Sequence, residues 1–328
     1  MLIDKRLAGT NTLTLTWHAG ASTVAFEAFR AWCLATLKPQ LRFDGAIWGV
    51  LLDPRAGSAT RLQSAHLHGV DPGAMEDLER VRVDDFAAER QDGDVLAIHV
   101  GDRAWAGGMH APLRQHARDH GMTGSISACF ANTGGPGRQF LMLTRNAGAR
   151  RFGADDVAAF EWLAPHMVHA FANCRSLFVQ GAQATGRRSA VSAVALVDSV
   201  GVLHDAPSAF TAMLQREWSD WRGERLPEPV LEMTARRAGT RWRFIGSQIV
   251  ADFSPVDDLY LVTARPRHMI DSLSQREIQV AHLYGDGHNF REIADALGLS
   301  PATVRSHLRK VFTKLQVRNK SQLAAVLR

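Results

Sequence analysis

The side chains whose types and spacing point most clearly to a chemistry stand near the C-terminus. Arg305, Ser306, Arg309 and Lys310 lie in the stretch LSPATVRSHLRKVFTKL, residues 299–315. On a helix, Arg305 and Arg309 are i, i+4 neighbours and project from one face, with Ser306, Lys310 and Thr313 beside them. An α-helix fits the major groove of duplex DNA, where a guanidinium donates two hydrogen bonds to O6 and N7 of guanine. Carboxylates on such a face would repel phosphates. After Asp295 the sequence contains none, through Arg328.

A set of short elements must hold that face in place. Val304, Leu308, Val311, Phe312 and Leu315 recur at the spacing of an amphipathic helix. Ser300 and Pro301 supply its N-cap and first-turn proline. Upstream, Ser274 and Glu277 form a capping box for an earlier helix, with Ile278, Ala281 and His282 expected to face inward and Gly285 and Gly287 to end it. Phe290, Ile293, Ala294 and Leu297 give a second stripe, and Gly298 sits where a C′ glycine belongs. A last short helix from about Ser321 would bury Leu323, Ala324 and Leu327. Two helices joined by Gly-Leu-Ser, the second basic, make the pattern of a helix-turn-helix.

The residues from Leu273 to Val326 resemble the LuxR-type (NarL/FixJ-type) DNA-binding domain. The likeness runs through Leu273, Arg276-Glu277, Val280, Leu283, the glycine pair, Glu292-Ile293-Ala294, Leu297, Ser300, Thr303-Val304, His307, Lys314-Leu315 and Val317. It implies that the third helix enters the major groove. Arg305, Ser306 and Arg309 then align with base-contacting positions. Thr303, Lys314, Asn319 and Lys320 align with phosphate-facing ones, and Lys310 joins them. The resemblance further implies a homodimer on a palindromic operator in double-stranded DNA, with the last helix as a dimer contact.

The charge supports a local anion-binding face. The whole chain carries +5, with 46% apolar and 22% charged residues, the balance of a folded globular protein. From His268 onward nine Lys and Arg stand against five Asp and Glu, which leaves the first 267 residues near neutrality. Cys33, Cys129 and Cys174 are scattered and form no CxxC, as expected of buried thiols in a reducing compartment. No charged-then-apolar leader opens the chain, and no apolar run approaches the roughly 20 residues that span a bilayer. The reading is a cytoplasmic protein.

Upstream, residues 21–37 have helical spacing. AIWGVLLD and RLQSAHLHGVD read as strands, residues 112–120 as a helix stopped by Gly121, and SISACFAN and RQFLMLTR as a hairpin around TGGPG. Val157, Phe160, Ala164, Met167, Phe171, Cys174 and Phe178 form a heptad seam on a long helix containing Pro165. That seam serves either the chain's own sheet or a helix shared between two protomers. Residues 181–189 read as a linker. SAVALVDSVGVLHDAP suggests two strands and a turn, with a helix from about Pro207, and WRFIGSQIVADF and LYLVTARP further strands. Residues about 20–180 resemble a GAF-type sensor, with EWLAPHMVHAF similar to the helix that closes such domains before LuxR-type tails. Residues about 190–265 resemble a reduced PAS domain through ALVDSVGVLHDAPSAF. The expected fold is α+β: a GAF-like α/β sensor over 1–180, a small PAS-like α/β domain over 189–265 and an all-α four-helix domain over 268–328.

Other chemistries find little support. TGGPGRQF lacks the GK[ST] of a phosphate loop. His66 and His68 would share a strand face, yet nothing has metal-site spacing, and no nucleophile motif points to an enzyme. No metal or cofactor is expected. Asp53 ends a strand without the acidic pair of a phosphoacceptor domain, and the tyrosines, Tyr260 and Tyr284, lie outside the first domain. A generic effector pocket would use Trp32, Trp48, His66, Trp105, Phe130, Phe140 and Met142, unless these are simply core. The reading is a regulator whose DNA binding responds to a small molecule or partner. The alternative is a sensor whose tail contacts RNA polymerase or another protein.

Overall fold

The computed structural model describes residues 2–52, 61–73, 97–100, 115, 119–131, 137–146, 148–185, 192–223, 225–237 and 239–327. The chain divides into two compact units, Met1–Trp242 with Asp252–Thr263, and Arg243–Ala251 with Ala264–Arg328.

In the first unit α1 (Leu2–Gly20) and α2 (Phe26–Leu37) precede a five-stranded sheet. Its strands are β1 (Gly45–Leu52), β2 (Arg61–His68), β3 (Ala97–Val100), β4 (Met122–Ala131) and β5 (Arg138–Asn146), in the order β2-β1-β5-β4-β3. The pairings are antiparallel. Strand alternation splits the sheet into two faces. Ala46, Trp48, Ile126, Ala128, Leu141 and Leu143 point toward the helices and share a core with Phe29, Phe160 and Phe171. Ile47, Leu51, Leu62, Cys129, Phe140 and Met142 form a separate cluster.

Nothing in the sequence marks α1 as a helix, because TLTLT alternates as a strand would. The threonines are accommodated by bonds back along the helix, Thr14 Oγ1 to the Asn11 carbonyl at 2.9 Å and Thr16 Oγ1 to the Thr12 carbonyl at 2.8 Å. The indole of the buried Trp17 donates to Thr36 Oγ1 of α2 at 2.8 Å.

The long helix is α3 (Ala154–Thr185), which runs through Pro165. It continues to Thr185, so the stretch read as a linker begins as helix. Phe160, Ala164, Met167, Phe171 and Cys174 of the heptad seam are buried in the chain's own core, with Val157 and Phe178 packed beside them. The seam is therefore occupied within one chain. Residues 133–136 of the TGGPG turn and most of 112–120 fall outside the described residues; Gly121 has φ +67°.

A second five-stranded sheet contains β6 (Ala193–Asp198), β7 (Leu203–Asp205), β8 (Trp242–Ile245), β9 (Ile249–Val256) and β10 (Leu259–Pro266), in the order β7-β6-β10-β9-β8. Asp198 Oδ1 accepts from the amides of Val200 at 3.1 Å and Val202 at 2.8 Å, which closes the β6–β7 turn. Helix α4 (Ser208–Glu217) follows Pro207 as expected. Helix α5 (Glu228–Arg236) does not announce itself, since Pro227 and Pro229 read as breakers; both stand at its start, where proline is tolerated. Val194, Leu196 and Leu259 belong to the same buried cluster as Trp48 and Phe171. Between these layers sits Arg30, 3% exposed, 2.6 Å from Asp257 and bonded to Asp258.

The second unit is mainly helical. A 3-10 turn (Met269–Ser272) leads into α6 (Gln275–Gly285), α7 (Phe290–Leu297), α8 (Pro301–Leu315) and α9 (Lys320–Leu327). Their buried faces meet at Val280, Ile293, Val304, Val311, Leu315 and Leu323. Among the described residues, no helix is long and apolar enough to cross a membrane.

Candidate nucleic-acid interface

The basic helix is fixed by its ends and its apolar face. Ser300 Oγ accepts from the Thr303 amide at 3.1 Å, and Pro301 occupies the first turn. Val304, Leu308, Val311 and Leu315 are buried beneath it. The preceding α7 ends at Gly298, φ +64°, a left-handed conformation that a side chain would strain. Its start uses a capping box that sequence reading passed over. Asn289 Oδ1 accepts from Arg291 N at 2.9 Å and Glu292 N at 3.1 Å, while Glu292 Oε2 accepts from Asn289 N at 2.9 Å. The expected Ser274–Glu277 box is present on α6. Arg276 donates to the Leu297 carbonyl and ties α6 to the turn before α8.

Two expected inward residues lie outward instead. His282 is exposed, and Glu277 and Val280 take the interior with Ala281. Phe290 is 39% exposed, because it opens α7 one turn before the buried Ile293 and Ala294.

Arg305, Ser306, Arg309 and Lys310 are exposed on α8. Arg305 Nε donates to the Pro301 carbonyl at 3.4 Å. Among the described residues, no carboxylate pairs with Arg305, Arg309 or Lys310. These cations are thus available to an external anion or base edge.

The residues assigned to phosphates are less uniform. Lys314 Nζ lies 2.7 Å from Glu277 Oε2, a carboxylate with a 5% exposed side chain. Burial raises the Glu277 carboxyl, but Lys314 and the Ser274 amide and hydroxyl outweigh it and hold the group below its ordinary range. Lys314 is therefore an internal tie as well as a surface cation. Thr303 Oγ1 meets Ser300 Oγ at 2.8 Å within the cap. Asn319 Oδ1 accepts from Gln322 N at 2.9 Å at the start of α9. The Lys320 ammonium stands 5.0 Å from the Tyr284 ring centroid.

The effector residues do not converge on one pocket. Trp48 is fully buried on the helix-covered face, with Trp32 and Phe130 packed against that core. His66 pairs across from Trp48 and is half-buried near Arg30; burial and that guanidinium lower its basicity. Phe140 and Met142 lie on the opposite face. Trp105 lies outside the described residues.

A helix-turn-helix defines the class of this unit. Residues 271–327 match the family described as bacterial regulatory proteins, luxR family. The C-terminal segment is therefore a LuxR-family helix-turn-helix domain. It is similar to the response regulator GacA of Pseudomonas aeruginosa, 43% identical over 54 residues, which cover 16% of this chain and 25% of that protein. It is also similar to the transcriptional regulatory protein LnrK of Bacillus subtilis, 38% identical over 60 residues, covering 18% and 27%. The chain thus spans about a quarter of the length of the curated relatives it matches. Across the wider chain, the crystal structure of Escherichia coli SdiA overlaps 96% of this protein and 95% of its own chain, at 13% identity and a TM-score of 0.37. At that distance the overlap defines neither fold nor function.

Proposed function

We propose that this protein is a sequence-specific DNA-binding transcriptional regulator. The observation that carries the reading is the Arg305–Arg309 pair, exposed one turn apart on a capped helix without a carboxylate partner among the described residues. Such a pair suits guanine edges in the major groove, while Lys310 supplies charge for the adjoining phosphates. Two copies on a palindromic operator would place two such helices about one duplex turn apart. The exposed Val326 on α9, 41% accessible, supports a role for that helix in pairing.

The first unit would set when the tails are presented, through a small molecule or protein contact that favours one arrangement over another. Of the pocket residues, Phe140 and Met142 lie apart from the helix-packed core, in a separate buried cluster. The test is recovery of a consensus from a random duplex pool by the full chain, followed by titration of Arg305→Ala and Arg309→Ala on it. The reading expects a palindromic consensus and weakened, less selective binding by both variants. Recovery of no consensus would overturn it.

A further inference from the structure

Phe290 is a large aromatic side chain left 39% exposed at the first position of α7. It contributes little to the domain core, which Ile293 and Ala294 of the same helix enter fully. Its ring nonetheless has an aromatic partner. It stacks on Tyr284, with centroids 5.8 Å apart and planes 9° from parallel. Tyr284 in turn meets the edge of Phe312 at 6.1 Å and 68°, and carries the Lys320 ammonium at 5.0 Å. The Tyr284 ring is therefore held from several sides before any ligand arrives, and Phe290 lies against one of its faces.

This aromatic group forms one wall of a surface groove of about 440 Å³. Leu308, Phe312 and Val317 also line it, and Arg305 and Arg309 line it with them. The two side chains assigned to base edges thus share a groove with an aromatic wall. An arginine free to sweep through solvent loses rotamer freedom when it docks on a base. A wall on one side removes part of that freedom in advance, and an aromatic face is well suited to lie beside a guanidinium.

We propose that Phe290, braced by Tyr284, is a positioning residue that restricts Arg305 and Arg309 to orientations able to read bases. The inference rests on the proposed base-reading role of those arginines. It assigns discrimination between sequences to a residue of the first helix of the motif, without direct base contact.

The experiment compares full-length parent, Phe290→Ala, Phe290→Tyr and Arg309→Ala by fluorescence anisotropy. One duplex is the consensus recovered by the parent, and the other is a scrambled duplex of the same composition. Phe290→Ala is expected to lose about three- to tenfold on the consensus, the scale of one immobilised side chain, with unchanged binding to the scrambled duplex and an unchanged salt slope. Phe290→Tyr, which keeps the ring, is expected to restore parental discrimination. Equal loss on both duplexes would show a sequence-independent backbone contact and overturn the proposal, as would no loss on either. If Phe290→Ala loses helical signal, Phe290→Leu decides the matter: it keeps apolar bulk without the ring and must lose discrimination while folded. If Arg309→Ala discriminates as well as the parent, the base-reading assignment itself falls. If Arg309→Ala loses discrimination and Phe290→Ala does not, only the positioning role falls.

Discussion

Lys314 Nζ stands 2.7 Å from Glu277 Oε2, joining the last turn of the basic helix to the first turn of α6. The carboxylate also accepts from the Ser274 amide at 2.7 Å, so one buried acid closes a cap and anchors α8 together. Removing Lys314 leaves that acid with less compensation. Lys314→Met is expected to cost about 1–3 kcal/mol of unfolding free energy in the C-terminal domain. The sign with pH follows from the depressed folded value of Glu277. Its stabilisation is complete above the ordinary carboxylate range and is lost as pH falls through the folded value. Urea unfolding followed by helical circular dichroism at neutral and acidic pH checks both points; Glu277→Gln should start less stable and show a shallower acid loss.

Much of the C-terminal domain was legible because its signals are local. Ser274, Gly298, Ser300 and Pro301 each perform the expected terminal role within a few residues of the chain. The Glu277–Lys314 tie has no such signal, since its partners are 37 positions apart and the capping role of Glu277 says nothing of Lys314. The outward turn of Phe290 was hidden because an aromatic at helical spacing suggests core. In the first unit, the effector list mixed two faces of one sheet. The face of a strand residue depends on register, and a shift between Trp48 and Val50 in the β1–β2 pairing is not visible in composition. Residues 2–20 carried no clear signal, since TLTLTW has strand alternation; the helix packs through Trp17 and His18.

Arg305→Ala and Arg309→Ala should each cost about 1–3 kcal/mol on a consensus duplex and relax preference at one base pair per half-site. Lys310→Ala should act differently. It removes a cation without a carboxylate partner among the described residues, so binding to all duplexes should weaken and the salt slope should flatten by about 1. Anisotropy titrations across a salt series on consensus and scrambled duplexes separate these outcomes. Parental selectivity in both arginine variants would remove the base-reading role.

The Arg30 cluster predicts a different class of variant. Its guanidinium is buried, bonds both Asp257 and Asp258, and lies 5.2 Å from the Phe171 centroid. Asp258 and Asp257 together outweigh burial and raise its basicity. Arg30→Met would remove the counter-charge of two part-exposed carboxylates and is expected to destabilise the first unit by about 1–3 kcal/mol. Arg30→Lys should recover only part, because an ammonium lacks the planar fork that spans two acids. Asp257 has φ +51°, so Asp257→Asn keeps a residue that tolerates this backbone while removing the charge. Thermal melting of the three variants should rank Arg30→Met lowest.

Three imidazoles meet where α1 packs on α3. His18 Nε2 is 3.4 Å from His166 Nδ1, and the rings of His18 and His169 are 5.6 Å apart by centroid. Trp162, 53% exposed, borders His166 with centroids 5.9 Å apart. Burial, then His166 and His169, lower the basicity of His18. A base whose folded value is lowered stabilises the native state while neutral. Its contribution is present above the ordinary value of 6.5 and is lost as pH falls through the folded value. Acidification from neutrality therefore works against the α1–α3 contact, since burial disfavours a charged His18. The melting midpoint of the parent is expected to fall between pH 7.5 and pH 5.5, and that of His18→Asn to fall less, in matched buffers at low salt. Identical pH dependence in the two proteins would remove the histidine cluster as the source.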